Sequence, residues 1–477
     1  MSVDEAIDQA MRPLADLIYQ FVFYAVPVGG AELPLIVAWL IAGGLFFTVY
    51  LGFINLRGFR HALDLVKGRY TDPSQPGEVT PFQALATAVS GTVGIGNIAG
   101  VAVAISLGGP GATLWLIIAG FLGMSTKFAE CTLAVKFRHT HDDGSVSGGP
   151  MYYLQRGLAL RNLPRLGRGL GIFYAASMVV GCLGIGNMFQ SNQAAAILID
   201  VTGGSTSFFA DKAWILGLVM AITVGMVIVG GIKSIARTTA KLVPFMAVLY
   251  VVLAVAVLAF NAAELPGAMV QIWQGAFTAE GISGGLVGVM IIGFRRAVFS
   301  NEAGLGSAAI AHSAVRTDEP VTEGFVSLLE PFIDTVVICT LTALVIVTTV
   351  YDPAMASSGV SGIEMTTRAF ESVFSWSPIP LSIAAVLFAY STMISWAYYG
   401  LKAFTYLTGQ HWLADMGFKL FYCSFIVLGS SVQLGALVDL SDALVFVVAI
   451  PNLLGLYFLA PVVKREMLSY RERLERY

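Results

Sequence analysis

Two polar runs lie where a bilayer-crossing chain should be apolar. One is Ser90-Gly91-Thr92-Val93-Gly94-Ile95-Gly96-Asn97, inside the apolar stretch Phe82–Ile105; the other is Phe299-Ser300-Asn301-Glu302, just ahead of Gly304-Leu305-Gly306. Glycine costs about 1 kcal/mol in a helix interior relative to alanine, so neither run favours an unbroken helix. Inside hydrocarbon, freed backbone groups survive only where protein or a watery cavity satisfies them. A break at mid-depth therefore offers half-helix ends to ions and charged solutes. Asn97 and the carbonyls around Gly91, Thr92 and Val93 could replace the hydration shell of a sodium ion, since hard cations prefer oxygen. The N–H groups of Gly94, Ile95 and Gly96 could receive a carboxylate, as a helix N-terminus does. The competing reading is structural: glycines permit close helix packing, and hydroxyls bond to their own preceding carbonyls.

Other spans carry polar groups that hydrocarbon makes costly. Asn187, Gln190 and Ser191 are spaced for one helical face, either to line a cavity or to bond between helices. Glu302 reads as a partner for a cation or an ammonium group, or as a carboxyl held neutral by burial. Arg295 and Arg296, upstream on the outer side of the break, could help form an external gate with Asp439 or Asp442. Glu330 and Asp334 lie one turn apart, suiting cation coordination, proton handling, or a structural partner for Lys127. Lys127 and Glu130 read as a neutralising pair. Tyr390, Ser391, Thr392, Ser395 and Trp396 share one span; the hydroxyls could complete a sodium site against the first polar run, and Trp396 could cap a small pocket.

These residues need helices to hold them. The chain has 477 residues, 56% hydrophobic and 12% charged, against roughly 25% charged in soluble domains; it is an integral membrane protein. With roughly 20 apolar residues per crossing, eleven spans are predicted near 33–54, 82–107, 112–137, 171–200, 213–231, 240–262, 283–314, 324–350, 381–410, 417–436 and 443–463. Residues 1–32 read as an amphipathic interfacial segment, with Ile7, Met11, Leu14, Ile18, Phe21 and Val22 on one face. The four cysteines lie in apolar runs, and the five histidines show no metal spacing. No nucleotide loop, HExxH or Ser–His pairing points to an enzyme, and nothing points to nucleic acid or an obligate protein partner.

Lysine and arginine set the orientation. Arg57, Arg60, Lys67, Arg69, Lys136, Arg138, Lys233, Arg316, Lys402, Lys419 and the basic tail 464–477 fall on one side, and only Arg12, Lys212 and Arg368 on the other. That asymmetry places the first set in the cytoplasm, with the N-terminus outside and the C-terminus inside. The GxG of residues 94–96 recurs at 304–306, on a span crossing in the opposite sense. Five spans in 82–262 and five in 283–463 then form an inverted pair behind the extra span 33–54, with interrupted helices meeting at the midplane. GxG is common among 51 glycines, so spacing alone leaves the repeat open.

The motifs TVGIGNIAG (92–100), GGPG (108–111), GMSTKFAE (123–130), GGPMYY (148–153), GNMFQ (186–190), FSNEAGLGSAAIAH (299–312) and EPFID (330–334) occur together in this order. The set resembles the alanine or glycine:cation symporter family of prokaryotic sodium-coupled amino-acid transporters. The resemblance implies an all-α inverted-repeat fold of the leucine/sodium-transporter type in a bacterial inner membrane. It also implies import of alanine or glycine with Na+ by alternating access. A substrate carboxylate would meet Gly94, Ile95 and Gly96, with Asn187, Gln190, Phe299, Ser300, Glu302 and Trp396 around the amino acid. One sodium ion maps onto Thr92, Asn97 and Ser300, and a second onto Val93, Ser391 and Thr392. Where the family often has threonine between the two glycines this chain has Ile95, which spares a main-chain contact and removes a hydroxyl. A proton-coupled transporter or passive channel using Glu330 and Asp334 is the alternative.

Overall fold

The computed structural model describes residues 12–13, 16–70, 72, 74–277, 285–352, 362–432 and 435–474, with side chains for all of these except 435–442. The chain is almost wholly helical. Among the described residues seven helices are individually long and apolar enough to cross a membrane, and a bent pair, Pro81–Thr92 with Ile95–Gly108, makes an eighth. Leu35–Tyr50 and Ala213–Val229 are shorter apolar helices, and Gly285–Asn301 continues through a break into Ser307–His312. Each lies within or across one of the predicted spans.

The N-terminal segment differs from expectation. Helix continues only to Val22, and a hairpin pairs Ala25–Val28 with Ala31–Pro34. Its turn, Gly29-Gly30, has φ 59 and 86, the left-handed pair that a two-residue hairpin of this twist requires. Phe21 is exposed while Val22 and Phe23 are buried, so the expected common face of Phe21 and Val22 is not formed. Ile7, Met11 and Leu14 lie outside the described residues.

Local sequence explains how the broken second span begins. Thr80 accepts from Gln83 N at 3.2 Å, and Gln83 Oε1 accepts from Thr80 N at 3.0 Å. With Pro81 at the first helical position this forms a capping box, satisfying end groups that would otherwise be orphaned. The helix stops at Thr92; Val93 and Gly94 are extended, residues Ile95–Asn97 form a single tight turn, and Ala99–Gly108 departs at 61°. Gly94 must approach the ninth-span helix Pro378–Thr408 closely. A Cβ there would stand 2.8 Å from Thr392 Oγ1.

The second break uses different backbone. Glu302, Gly304 and Gly306 take φ 58, 93 and 75, values that glycine adopts freely and other residues seldom do. Within the break Ala303 N donates to Asn301 Oδ1 and Leu305 N to Glu302 O, and three further freed groups are collected by side chains from other spans. Gly306 N donates to Glu130 Oε1 at 3.1 Å, Asn452 Nδ2 donates to Gly304 O at 2.7 Å, and Tyr174 OH donates to Leu305 O at 3.0 Å. The two GxG motifs are thus alike in sequence and opposed in conformation.

Two further spans contain widened π turns, at Gly184–Met188 and Phe332–Cys339. Such turns shift the phase of the side chains that follow and recur at functional sites. Here they set which face Gln190 and Asp334 present.

Candidate functional site

Asn97 is the hub of the site. Its Oδ1 accepts from Gly94 N at 2.9 Å, closing the tight turn of the first break. Its Nδ2 reaches Asp334 Oδ1 at 2.6 Å, Asp334 O at 3.1 Å and Ser300 Oγ at 3.0 Å. Ser300 and Thr335 each donate to Asp334 Oδ2 at 2.7 Å, and Asn301 Nδ2 donates to Thr335 Oγ1 at 3.0 Å. One amide therefore ties the first break, the end of Gly285–Asn301 and the π turn of the eighth span. All of these side chains are buried. The oxygens are carboxylate, hydroxyl, amide and carbonyl, the donor set of a hard monovalent or divalent cation rather than a soft transition metal. Among the described residues no group of three or more His, Cys, Asp and Glu is placed to hold a metal ion.

The ninth span lays a polar stripe along the first helix. Thr392 Oγ1 donates to Ser90 O at 3.0 Å, Ser395 Oγ to Thr87 O at 2.8 Å, and Ser90 and Ser395 hydroxyls meet. Trp396 Nε1 stands 3.2 Å from both Gly91 O and Glu302 Oε1, so the indole joins one break to the other. Glu302 also accepts from Ser307 Oγ. Gly186 lets the indole in: a Cβ there would lie 2.1 Å from Trp396 Cγ.

Gln190 turns toward the first break, its Oε1 3.5 Å from Ile95 N while its Nε2 donates to Ile185 O. The Phe299 ring packs edge-on against Phe189 and lies 3.4 Å from where a Gly96 Cβ would stand. Gly94, Ile95, Gly96, Gln190, Phe299, Ser300, Glu302, Trp396, Asn97, Val93 and Thr392 therefore converge on the two breaks.

Three expected residues turn away. Asn187 donates to Tyr422 O at 2.8 Å, because the π turn rotates it off the face of Gln190. The Thr92 hydroxyl bonds back to Ala88 and Val89 carbonyls of its own helix. The Ser391 hydroxyl bonds to Phe388 O and faces Met246 Sδ; Ser395, at i+3 from Thr392, takes the position on the first helix instead. Arg295 donates to Tyr19 OH at 2.9 Å and covers the Phe23 ring, while Arg296 lies over Phe299 at 5.8 Å. The side chains of Asp439 and Asp442 lie outside the described residues.

The carboxylates of the eighth span separate. Asp334 joins Asn97, while Glu330 Oε1 binds Lys127 Nζ at 2.8 Å with both groups fully buried. Lys127 and Glu130 are thus not each other's hydrogen-bonded partners: Glu130 serves the second break and Asn452. Sequence offered no pattern for Asn452 or Tyr174, which come from spans remote in the chain. Removing one member of a buried pair costs about 3–5 kcal/mol, more than removing both. Lys127→Met is therefore expected to lower the melting temperature in detergent markedly, and Lys127→Met with Glu330→Met to recover part of the loss. A double variant no more stable than the single one would show that the pair is not a closed unit.

A model of the sodium:alanine symporter family matches residues 23–477. The sodium/alanine symporter AgcS of Methanococcus maripaludis is 39% identical over 443 residues, covering 92% of this chain and 94% of that protein. The probable sodium/glutamine symporter GlnT of Bacillus subtilis is 32% identical over 438 residues, covering 91% and 87%. The crystal structure of MhsT in complex with L-phenylalanine superposes with a TM-score of 0.57 at 16% identity, covering 83% of this chain and all of that one. This last likeness establishes the fold.

Proposed function

The chain belongs to the sodium:alanine symporter family, and from that premise we propose that it imports a small neutral amino acid, alanine or glycine, with sodium. It is a transporter and not an enzyme. The observation that carries the reading is Asn97 holding Gly94 of one break together with Ser300 and Asp334 beside the other. Sodium placed among Asn97, Ser300 and Asp334 would draw the two broken helices together and set the amides of residues 94–96 for the substrate carboxylate. Gln190, now 3.5 Å from Ile95 N, is the group such a carboxylate would displace. Thr392, Ser395 and the Val93 carbonyl are the candidates for a second sodium. Phe299 and Trp396 would bound the side-chain space. One extra methylene shifts binding by only about 1–3 kcal/mol, so exclusion of larger amino acids needs real clash.

Eleven spans in a five-plus-five inverted arrangement, with the basic loops cytoplasmic, fit this reading, and the loaded site then opens inward as one repeat bundle rocks against the other. Sodium must favour the substrate-competent state or no coupling arises, and the coupling is reciprocal between sodium and amino acid. The membrane potential adds about 2.3 kcal/mol per charge per 100 mV. Greater identity to the sodium/alanine symporter than to the glutamine one supports alanine.

Proteoliposomes test the proposal. Alanine accumulation is expected to require an inward sodium gradient and to survive a proton uncoupler. Uptake that ignores sodium and follows a pH gradient would overturn it in favour of proton coupling. Glu330 is already engaged by Lys127, which would leave Asp334 as the carboxylate for that alternative.

A further inference from the structure

Next to the Lys127–Glu330 pair lies a second buried polar centre that the transport scheme does not use. His312 Nδ1 stands 2.6 Å from Glu323 Oε2, and His312 Nε2 stands 3.9 Å from Glu330 Oε2, all three side chains fully buried. His312 Nε2, Glu323 Oε1 and Glu330 Oε2 have no hydrogen-bond partner. Buried charge must be balanced nearby. Lys127 balances Glu330, so Glu323 depends on a proton shared with His312.

The same two residues close the base of a loop. Arg138 grips that loop through four carbonyls: Nη1 donates to Ser313 O at 3.1 Å and Val315 O at 2.6 Å, and Nη2 to Thr317 O at 2.6 Å and Pro76 O at 3.0 Å. Val315 pairs with Val79, and Arg316 N donates to Val79 O at 2.9 Å, seaming the loop to the chain that enters the second span. Gly77 lies so close to the seam that a Cβ would fall 2.2 Å from Val315 O. Arg138 is also within electrostatic reach of Asp318, on the loop itself, and then of Glu323.

We propose that His312 and Glu323 form a proton-binding site, loaded from the side bearing the basic loops, whose occupancy holds the seam between residues 76–79 and 313–317 closed. With the proton present the dyad carries no net charge and Arg138 stays on the carbonyls. When the proton leaves, the dyad takes on a net negative buried charge that draws the Arg138 guanidinium from the loop, so the seam opens. The remaining ionisable groups around the dyad do not substitute for that proton. On the third span Lys127 is held by Glu330 and Glu130 by the second break. Tyr399 of the ninth span and Cys131 of the third lie within electrostatic reach of Glu330, and His61, packed against Phe325, is bonded to Tyr470. Pro81–Thr92 contributes no ionisable side chain. The seam's role as the cytoplasmic closure rests on the transport reading above; the proton site itself does not.

Hydrogen exchange of the full chain in nanodiscs tests this. After correction for intrinsic hydroxide catalysis, opening of peptides spanning 313–319 in the wild type should rise with pH by up to about tenfold per unit, the limit for release of one proton per opening. In Glu323→Gln, which keeps an acceptor for the imidazole N–H without the charge, corrected opening should be flat and equal to the wild type at low pH. A flat wild-type profile, or an unchanged slope in Glu323→Gln, overturns the proposal; the wild-type measurement decides even if the variant does not fold. Sodium activation of alanine uptake, measured at fixed pH, should persist in Glu323→Gln. Loss of sodium dependence in the wild type with the exchange slope intact would refute the transport reading and leave the proton site standing.

Discussion

Replacing Asn97 by alanine should abolish sodium-dependent uptake while the protein still inserts and folds. The side chain is a single point of contact among three separate elements. Its loss strips Asp334 Oδ1 of the donor at 2.6 Å and leaves Gly94 N without its acceptor at 2.9 Å. Each unsatisfied buried group costs about 1–3 kcal/mol, more where a charge is involved. At 1.4 kcal/mol per factor of ten, apparent sodium affinity should fall by roughly ten- to a hundredfold or beyond. Substrate affinity falls with it, because the two bindings are linked. The measurement is the sodium activation curve of initial alanine uptake, accompanied by the yield and melting temperature of the purified variant. Asp334→Asn is the companion experiment: it retains the shape and removes the charge, so it should raise the sodium concentration for half-activation with little change in melting temperature. An ordinary activation curve in Asn97→Ala would remove that residue from the ion site.

Gly186→Ala should be strongly damaging to transport. Helix propensity alone favours alanine by about 1 kcal/mol, so any loss must come from packing. The added Cβ would stand 2.1 Å from Trp396 Cγ and 2.3 Å from its Cβ, both near the rigid root of the side chain. The indole is 1% exposed and packs against the Tyr399 ring. Overpacking of this kind costs about 1–3 kcal/mol. Moving the indole also releases Gly91 O and Glu302 Oε1, one from each break. Alanine KM should rise by about tenfold or more, the equivalent of 1.4 kcal/mol or more, with a melting temperature several degrees lower. Gly100→Ala is the control on the same broken span. A Cβ there meets nothing within 4 Å, so uptake should be unchanged and stability equal or higher. Equal behaviour of the two variants would show that the contact at Trp396 is not what fixes residue 186 as glycine.

Much of this protein can be read from composition and pattern, because hydrocarbon imposes simple rules. A crossing needs a certain apolar length, and polar groups inside it need a reason. Those rules pointed to the long apolar helices, to both breaks, and to Asn97 and Ser300, which the structure brings together. They also singled out Glu330 and Asp334 from an apolar run. Helical spacing could not say that one of these carboxylates would meet Lys127 and the other Asn97. The π turn at Phe332–Cys339 decides that, and such a turn leaves no mark in residue periodicity. The corresponding turn at Gly184–Met188 separates Asn187 from Gln190, which regular helical geometry had placed together.

Partners brought from distant parts of the chain were likewise beyond the reach of local pattern. Glu130, Tyr174 and Asn452 collect the freed backbone of the second break, and the hydroxyl stripe is completed by Ser395 rather than Ser391. The sequence by itself determined that the helices must break, because glycine and polar residues at mid-span leave backbone groups needing partners. Tertiary structure alone decided which side chains supply those partners, because that choice depends on helix rotation and approach, and both are set by packing between elements far apart in the chain.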